Sequence, residues 1–260
     1  MIIISPPPDD DGDVPENPDS PTVDTTTFAG EEWLVLKKDT STNAWLILRT
    51  KPLTNAEMNI TEGGVNPNDR PAVRFLGGED SYQTKTFFES ENDNGYDRSN
   101  VKKYIDYYYK EFIAKDENNA AKVCKVNLNS KTFVTYKDQF GSTLAEYGTW
   151  SNDKYQMVDD ASKDVSAVGV GGLGEQQAFA LSFGDLRTLE STNDKGNSQY
   201  ANSLIGTKLK EIYFWLRSPG AKDDDAGIVD KSDGAFSSMK TTDPNPKVVP
   251  ALWILAPESK

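Results

Sequence analysis

The sequence predicts a mixed fold of short β-strands and helix around an aromatic core, preceded by an extended acidic tail. Three observations lead there. Apolar residues make up 36% of the chain, below the roughly 45–50% usual for globular domains even allowing for glycine, while 5 Trp, 11 Tyr and 11 Phe supply bulk. The apolar residues fall in short runs punctuated by Gly, Pro, Asn and Asp, which suits strands better than a leucine-rich bundle. The first 27 residues mix acids with Pro6, Pro7, Pro8, Pro15, Pro18 and Pro21, a composition that keeps a chain extended and solvated.

Residues 1–27 are therefore expected to be a tail, and residues 28–260 a single domain large enough to bury a sizeable core. One part of the tail differs from the rest. Ile2, Ile3 and Ile4, between Met1 and Ser5, are strong strand formers. Met1–Ser5 reads as a short docking strand that adds to a sheet edge on a partner, with residues 6–27 as the spacer.

The domain opens with EEWLVLKK and AWLILRTK, an expected hairpin in which Trp33, Leu34, Val35 and Leu36 face Trp45, Leu46, Ile47 and Leu48. Residues 59–72 carry Gly, Pro and Asn clusters and read as loop. In DRSNVKKYIDYYYKEF, Ser99 or Asn100 can cap a helix whose Val101, Tyr104, Ile105, Tyr108 and Phe112 recur at helical spacing, a stripe expected to pack in the core. KVCKVNL and KTFVTYKD alternate like strands, residues 151–178 read as a Gly-, Ser- and Asp-rich loop, and FALSFGDLRTL reads as strand running into helix. EIYFWLRSPG, AGIVDKSDGAF and KVVPALWIL, broken by Ser-Pro-Gly, Ser-Asp-Gly and Asp-Pro-Asn-Pro, predict a terminal meander.

Composition narrows the chemistry. A net charge of −13 repels phosphate backbones, so neither nucleic acid nor an anionic membrane surface is an expected partner. No run of 18 apolar residues is present to insert into a bilayer. Histidine is absent and Cys124 is the single cysteine, which excludes Cys/His zinc sites, Ser-His-Asp and Cys-His catalysis, and a disulfide within the chain. Cys124 itself reads as a small buried side chain.

Several motifs reduce to coincidence. GVGGLG at 169–174 matches a dinucleotide fingerprint, but acidic loop sequence precedes it and the chain does not alternate strand and helix, so a loop is expected. ENDNGYD and KDDDAG offer oxygen ligands without the register of a calcium-binding loop. Two S-x-x-K matches lack their companion motifs. No spacing singles out a carboxylate pair for glycoside hydrolysis. No cofactor, catalytic residue or metal ligand is assigned. The acids Asp223, Asp224 and Asp225, with Asp159 and Asp160, are taken as candidate ligand-facing loop residues.

The C-terminal third carries a resemblance. YFWLRSPG, then AGIVDKSDGAF, then VVPALWI at 248–254 resemble a bacterial and phage surface-domain family of unknown function, whose pattern is a W-L-R-S-P-G strand and turn, a V-x-x-x-G hairpin and a closing R-P-A-L-W strand. FALSFGDL, QYANSL, the helix and the opening hairpin resemble its upstream segments more weakly. Val249 stands where the family usually has Arg. The resemblance implies an α+β fold similar to C-type-lectin-like and formylglycine-generating-enzyme-like domains, with small twisted antiparallel sheets, flanking helices and long loops. The cysteine pair typical of the enzyme branch has no counterpart here. Within this pattern Trp215, Arg217, Ser218, Pro219, Gly220, Pro250 and Trp253 are expected to be structural. Trp215 and Trp253 would lie in the core, and Arg217 would anchor the turn through carbonyls or a carboxylate.

These readings converge on a non-enzymatic surface protein. A chain starting at Met without an export signal, ending its tail in a docking strand and displaying a recognition domain, is expected to be a virion component: a decoration, head-fibre or tail-associated receptor-binding subunit. Residues 1–5 would attach it to a larger assembly, and its loops would meet a glycan or protein on a host surface. The alternative is a secreted bacterial adhesin or carbohydrate-binding module, extracellular or on the cell surface; a glycan-active enzyme stands third.

Overall fold

The structure, a computed structural model, describes residues 24–60, 95–128, 167–182, 184–186, 205, 208, 209, 212–219, 225–229 and 236–258. The expected docking strand Met1–Ser5 and most of the tail lie outside these residues, as do Asp159, Asp160, Gly220, Asp223 and Asp224.

The chain is α+β, built from small antiparallel sheets and few helices. Strands β1 (Thr25–Phe28), β2 (Glu31–Asp39) and β3 (Ala44–Arg49) form a meander, and β9 (Ala251–Leu255) pairs with β3, giving the sheet order β1-β2-β3-β9. A second sheet holds β6 (Phe214–Pro219), β7 (Asp225–Val229) and β8 (Phe236–Lys240) in sequence order; β4 (Lys125–Val126) and β5 (Glu175–Gln176) form a short third pair. Helix α1 (Asn100–Tyr108) continues into a π-turn at Tyr109–Ile113 and is followed by α2 (Glu117–Lys122).

The first sheet explains why its strands read as apolar runs. Side chains alternate faces along a strand, and here both faces are buried. Trp33, Val35, Ile47, Leu252 and Ile254 pack with Val101, Ile105 and Tyr108 of α1. On the other face Leu34, Leu46, Leu48 and Trp253 pack with Phe179, Leu181, Phe214 and Leu216. A one-residue shift between Val35 and Lys37 sets the β2–β3 register, pairing Trp33 with Arg49 and Lys38 with Trp45. Leu36 joins Leu34 in the same buried group, as alternation requires, and the bulge brings Lys37 rather than Leu36 opposite Leu46.

Local signals set the connections. Ala29 and Gly30 both have positive φ, 51° and 78°, as a two-residue I′ hairpin turn between paired Phe28 and Glu31 requires. β1 thus starts before the boundary expected at residue 27/28, and Thr25–Thr27 belong to the sheet. Asp39 Oδ1 accepts from the backbone N–H and the hydroxyl of Ser41, folding the β2–β3 turn. Ser99 caps α1, its Oγ accepting the Lys102 N–H at 3.0 Å and donating to the Tyr96 carbonyl at 2.7 Å.

Beyond Tyr108 the helix departs from the expected periodicity. Ala114 N–H bonds to the Tyr109 carbonyl, five residues back, at 2.8 Å. The wider turn advances the stripe by one residue. Ile113, 1% exposed, enters the core, and Phe112, 47% exposed, is turned outward to stack on Tyr108 with ring centroids 5.7 Å apart.

β9 lies between β3 and two irregular segments that complete its hydrogen bonding. Cys124 N–H donates to the Trp253 carbonyl, and Phe179 and Ala251 exchange bonds of 3.0 and 2.8 Å. The 178–181 segment also reaches the second sheet, its Leu181 carbonyl accepting the Arg217 N–H at 2.8 Å. Among the described residues no helix is long and apolar enough to cross a membrane.

The π-turn makes a testable distinction. Ile113→Ala is expected to lose about 2–5 kcal/mol as a core truncation, whereas Phe112→Ala loses about 1 kcal/mol, the worth of an exposed ring stack. Urea unfolding of the two variants checks it; a regular α-helix would give the reverse order.

Candidate functional site

Two buried arginines organise the polar groups of the domain, by the same device. Ser182 and Asp185 form a reciprocal cap: Asp185 N–H donates to Ser182 Oγ at 3.0 Å, and Ser182 N–H donates to Asp185 Oδ2 at 2.8 Å. Asp185 Oδ1 also accepts the Val168 N–H at 2.6 Å. Arg217, on β6, donates through Nη1 to Asp185 Oδ2 and to the Ala180 carbonyl (2.7 Å), and through Nη2 to Ser182 Oγ (3.0 Å). Its guanidinium lies 5.5 Å from the centre of the Phe179 ring. Arg217 and Asp185 are each 1% exposed.

The second arginine repeats the arrangement nearer the surface. Thr54-Asn55-Ala56-Glu57 is again a reciprocal cap, with Glu57 Oε2 accepting from the Thr54 N–H (2.7 Å) and hydroxyl (2.8 Å), and Glu57 N–H donating to Thr54 Oγ1 (3.3 Å). Arg49, at the end of β3, donates to both oxygens of Glu31 (2.7 and 2.6 Å) and both of Glu57 (3.2 and 2.6 Å). The Trp33–Arg49 pairing puts Glu31 diagonally opposite Arg49 on the same face. Tyr108 completes the group: its hydroxyl donates to Glu31 Oε2 at 2.8 Å, and its ring lies 5.0 Å from the guanidinium.

The charges follow from these contacts. Burial alone would push the Glu57 carboxyl up, but the bonds from Arg49 and Thr54 outweigh it and hold the group below its ordinary value of 4.5. Burial likewise works against the Arg49 cation, yet its bonds to Glu31 and Glu57 raise its pKa further. Burial pushes the Tyr108 phenol well up, with Arg49 opposing and Glu31 reinforcing. A carboxylate held ionised by an arginine cannot serve as the protonated acid of a glycosidase at neutral pH. Glu57 is a brace.

The sequence-expected residues sort clearly. Trp215, 0% exposed, and Ser218 are buried in β6, and Pro219 ends that strand. Trp253 is buried in β9, its indole N–H donating to the Val168 carbonyl at 2.6 Å. Pro250 is buried, and its carbonyl accepts the Arg49 N–H at 3.0 Å. Asp225 corrects the ligand-facing assignment: it is the first residue of β7, buried, and accepts from Ser238 Oγ at 3.3 Å, because the strand pairs Asp225 with Lys240 and takes the carboxylate out of solvent.

GVGGLG is not followed by a helix. Gly171 N–H bonds to the Lys125 carbonyl, Val170 bridges Val126, and the segment runs through a turn into β5. Gly174 is required there, since a Cβ would sit 2.0 Å from the Val126 carbonyl oxygen. Leu173, at the turn, is fully exposed. Cys124 is buried, and burial pushes its thiol up, away from reactive thiolate. Among the described residues no group of three or more Cys, Asp and Glu is placed to hold a metal ion.

Sequence reasoning missed Asp185, Ser182, Glu31, Glu57 and Tyr108. A local signal existed for three of them, Ser182, Asp185 and Glu57, since Ser-x-x-Asp and Thr-x-x-Glu are the spacings of a reciprocal cap. No protein-family model, curated protein or solved structure matches the chain.

Two predictions follow from these groups. Asp185→Ala, which strands a buried guanidinium and two backbone N–H groups, is expected to cost about 3–5 kcal/mol; replacing both partners, Asp185→Leu with Arg217→Met, should cost less than the sum of the single changes, as urea unfolding of the cycle would show. Glu57, its carboxyl lowered in the folded chain, contributes stability that is complete above its unfolded value near 4.5 and is lost as pH falls through the folded value. The stability gap between the wild type and Glu57→Gln should therefore be widest near neutral pH and narrow toward pH 3, measured as urea midpoints across that range.

Proposed function

We propose that this protein is a non-enzymatic surface component of a virion, a decoration, head-fibre or tail-associated receptor-binding subunit, whose N-terminal residues attach it and whose C-type-lectin-like domain recognises a host-surface glycan or protein. The observation that supports it most is the pairing of β3 with β9 over five positions, Ala44↔Leu255 to Leu48↔Ala251. The opening hairpin and the closing Pro-Ala-Leu-Trp strand, two of the segments that carry the family resemblance, are neighbours in one sheet. The long acidic connections fall between them in sequence, and the two buried arginines with Glu31, Glu57 and Asp185 are committed to internal bonds. The tail joins this same sheet at β1, so attachment at one end and display by the connections use separate parts of the chain.

Co-sedimentation tests this reading. Full-length protein and residues 24–260 are each mixed with particles from the source; the shorter chain must keep Asp24 onward, because Asp24 and Thr25–Phe28 bond to β2. Attachment through the tail predicts that only the full-length chain enters the pellet. If both stay in the supernatant, the virion reading fails and a secreted adhesin takes its place. Charge reversal at Asp223 and Asp224, or at Asp159 and Asp160, should weaken binding to host cells without moving the unfolding midpoint; Asp225 is left intact because it is part of β7.

A further inference from the structure

Among the described residues β1 is the edge of its sheet. The Asp24 carbonyl accepts the Val35 N–H at 2.8 Å, and the register pairs Thr25 with Leu34 and Thr26 with Trp33. Antiparallel pairing alternates, so the backbone groups of Asp24, Thr26 and Phe28 face β2 while those of Thr25 and Thr27 face away. Among the described residues no strand pairs with that outer side. Natural edges are usually blunted by lysine, proline or a bulge. Thr25-Thr26-Thr27 has none of these, and β-branched threonine favours extended backbone.

The chain also carries a segment suited to that edge. Ile2-Ile3-Ile4 has the same strand preference and a comparable length, is uncharged, and is joined to β1 only through residues 6–23. Those residues hold six prolines and a run of acids, a composition that extends at about 3.1 Å per residue and so reaches roughly 55 Å. Returning to its own edge would require that stretch to double back as a long structureless loop, against its stiffness. Reaching a neighbouring molecule uses the extension directly.

We propose that residues 1–5 of one copy add to the outer side of β1 in a second copy, pairing with the backbone of Thr25 and Thr27. This rests on the reading of Met1–Ser5 as a docking strand and names its acceptor. Donor and acceptor are different surfaces, so the contact is head-to-tail and closes into a ring or continues as a chain of subunits.

Two full-length variants separate the halves of the contact. Ile3→Asp spoils the donor and leaves the acceptor. Thr27→Pro removes an outward N–H and leaves the β2 ladder, with circular dichroism to confirm folding; Thr25→Pro, which removes the other outward N–H, is the substitute acceptor block if Thr27→Pro unfolds. Analytical ultracentrifugation is expected to find wild-type oligomers, a monomer for each variant alone, and a one-to-one dimer when the two are mixed. A monomeric wild type at its highest soluble concentration overturns the proposal, as do oligomers that survive Ile3→Asp. A monomeric wild type that still pellets with particles leaves tail attachment standing while this inference falls; wild-type assembly lost in Ile3→Asp, with neither species pelleting, does the opposite.

Discussion

The fold depends on neutralising two guanidinium groups inside it. Arg217 is 1% exposed and Arg49 6%, and an unpaired charge so placed would cost more than a domain of this size can spare. Each is met by the acid of a reciprocal cap, Asp185 or Glu57, and by an aromatic ring. The cap matters because it holds the carboxylate through bonds additional to those from the arginine: Asp185 by the N–H groups of Ser182 and Val168, Glu57 by Thr54. The arginines then add polar ties between elements that also pack through apolar side chains. Arg217 joins β6 to Ala180, Ser182 and Asp185, and Arg49 joins β3 to the start of β2, the 52–57 turn and α1.

This bonding shapes what the domain can do. Groups that by type are candidates for chemistry, two arginines, three acids and a tyrosine, are spent on holding segments together. Under the proposed function, recognition falls to residues other than these. The −13 net charge agrees with a surface presented to neutral or cationic chemistry rather than to polyanions.

How much of this was legible depended on the range of each interaction. The hairpin, the Ser99 cap and the buried β9 could be read because runs, caps and turn residues are local. Phe112 and the partners of Lys37 and Lys38 could not be placed, because a π-turn and a bulge each shift the register by one residue and leave no mark on composition. Arg217 could be read as an anchor from its setting in WLRSPG, but its acid lies 32 residues away. The Arg49 group was invisible as a unit: Glu31 and Tyr108 are 77 residues apart and meet only when α1 packs on the sheet. Asp225 misled because a triplet of aspartates looks like loop, and only the Lys240 partner shows that the strand begins inside it.

The place of β9 has a consequence for biogenesis. β3 is made about 200 residues before residues 251–255, its partner on one side. Until then the hairpin presents Leu46, Ile47 and Leu48 on an open edge. Contacts this distant in sequence make folding slow and leave an adhesive intermediate exposed throughout synthesis. Once closed, the same pairing links the two ends of the domain, so a protease cutting a connection in between would leave two fragments still joined through the sheet.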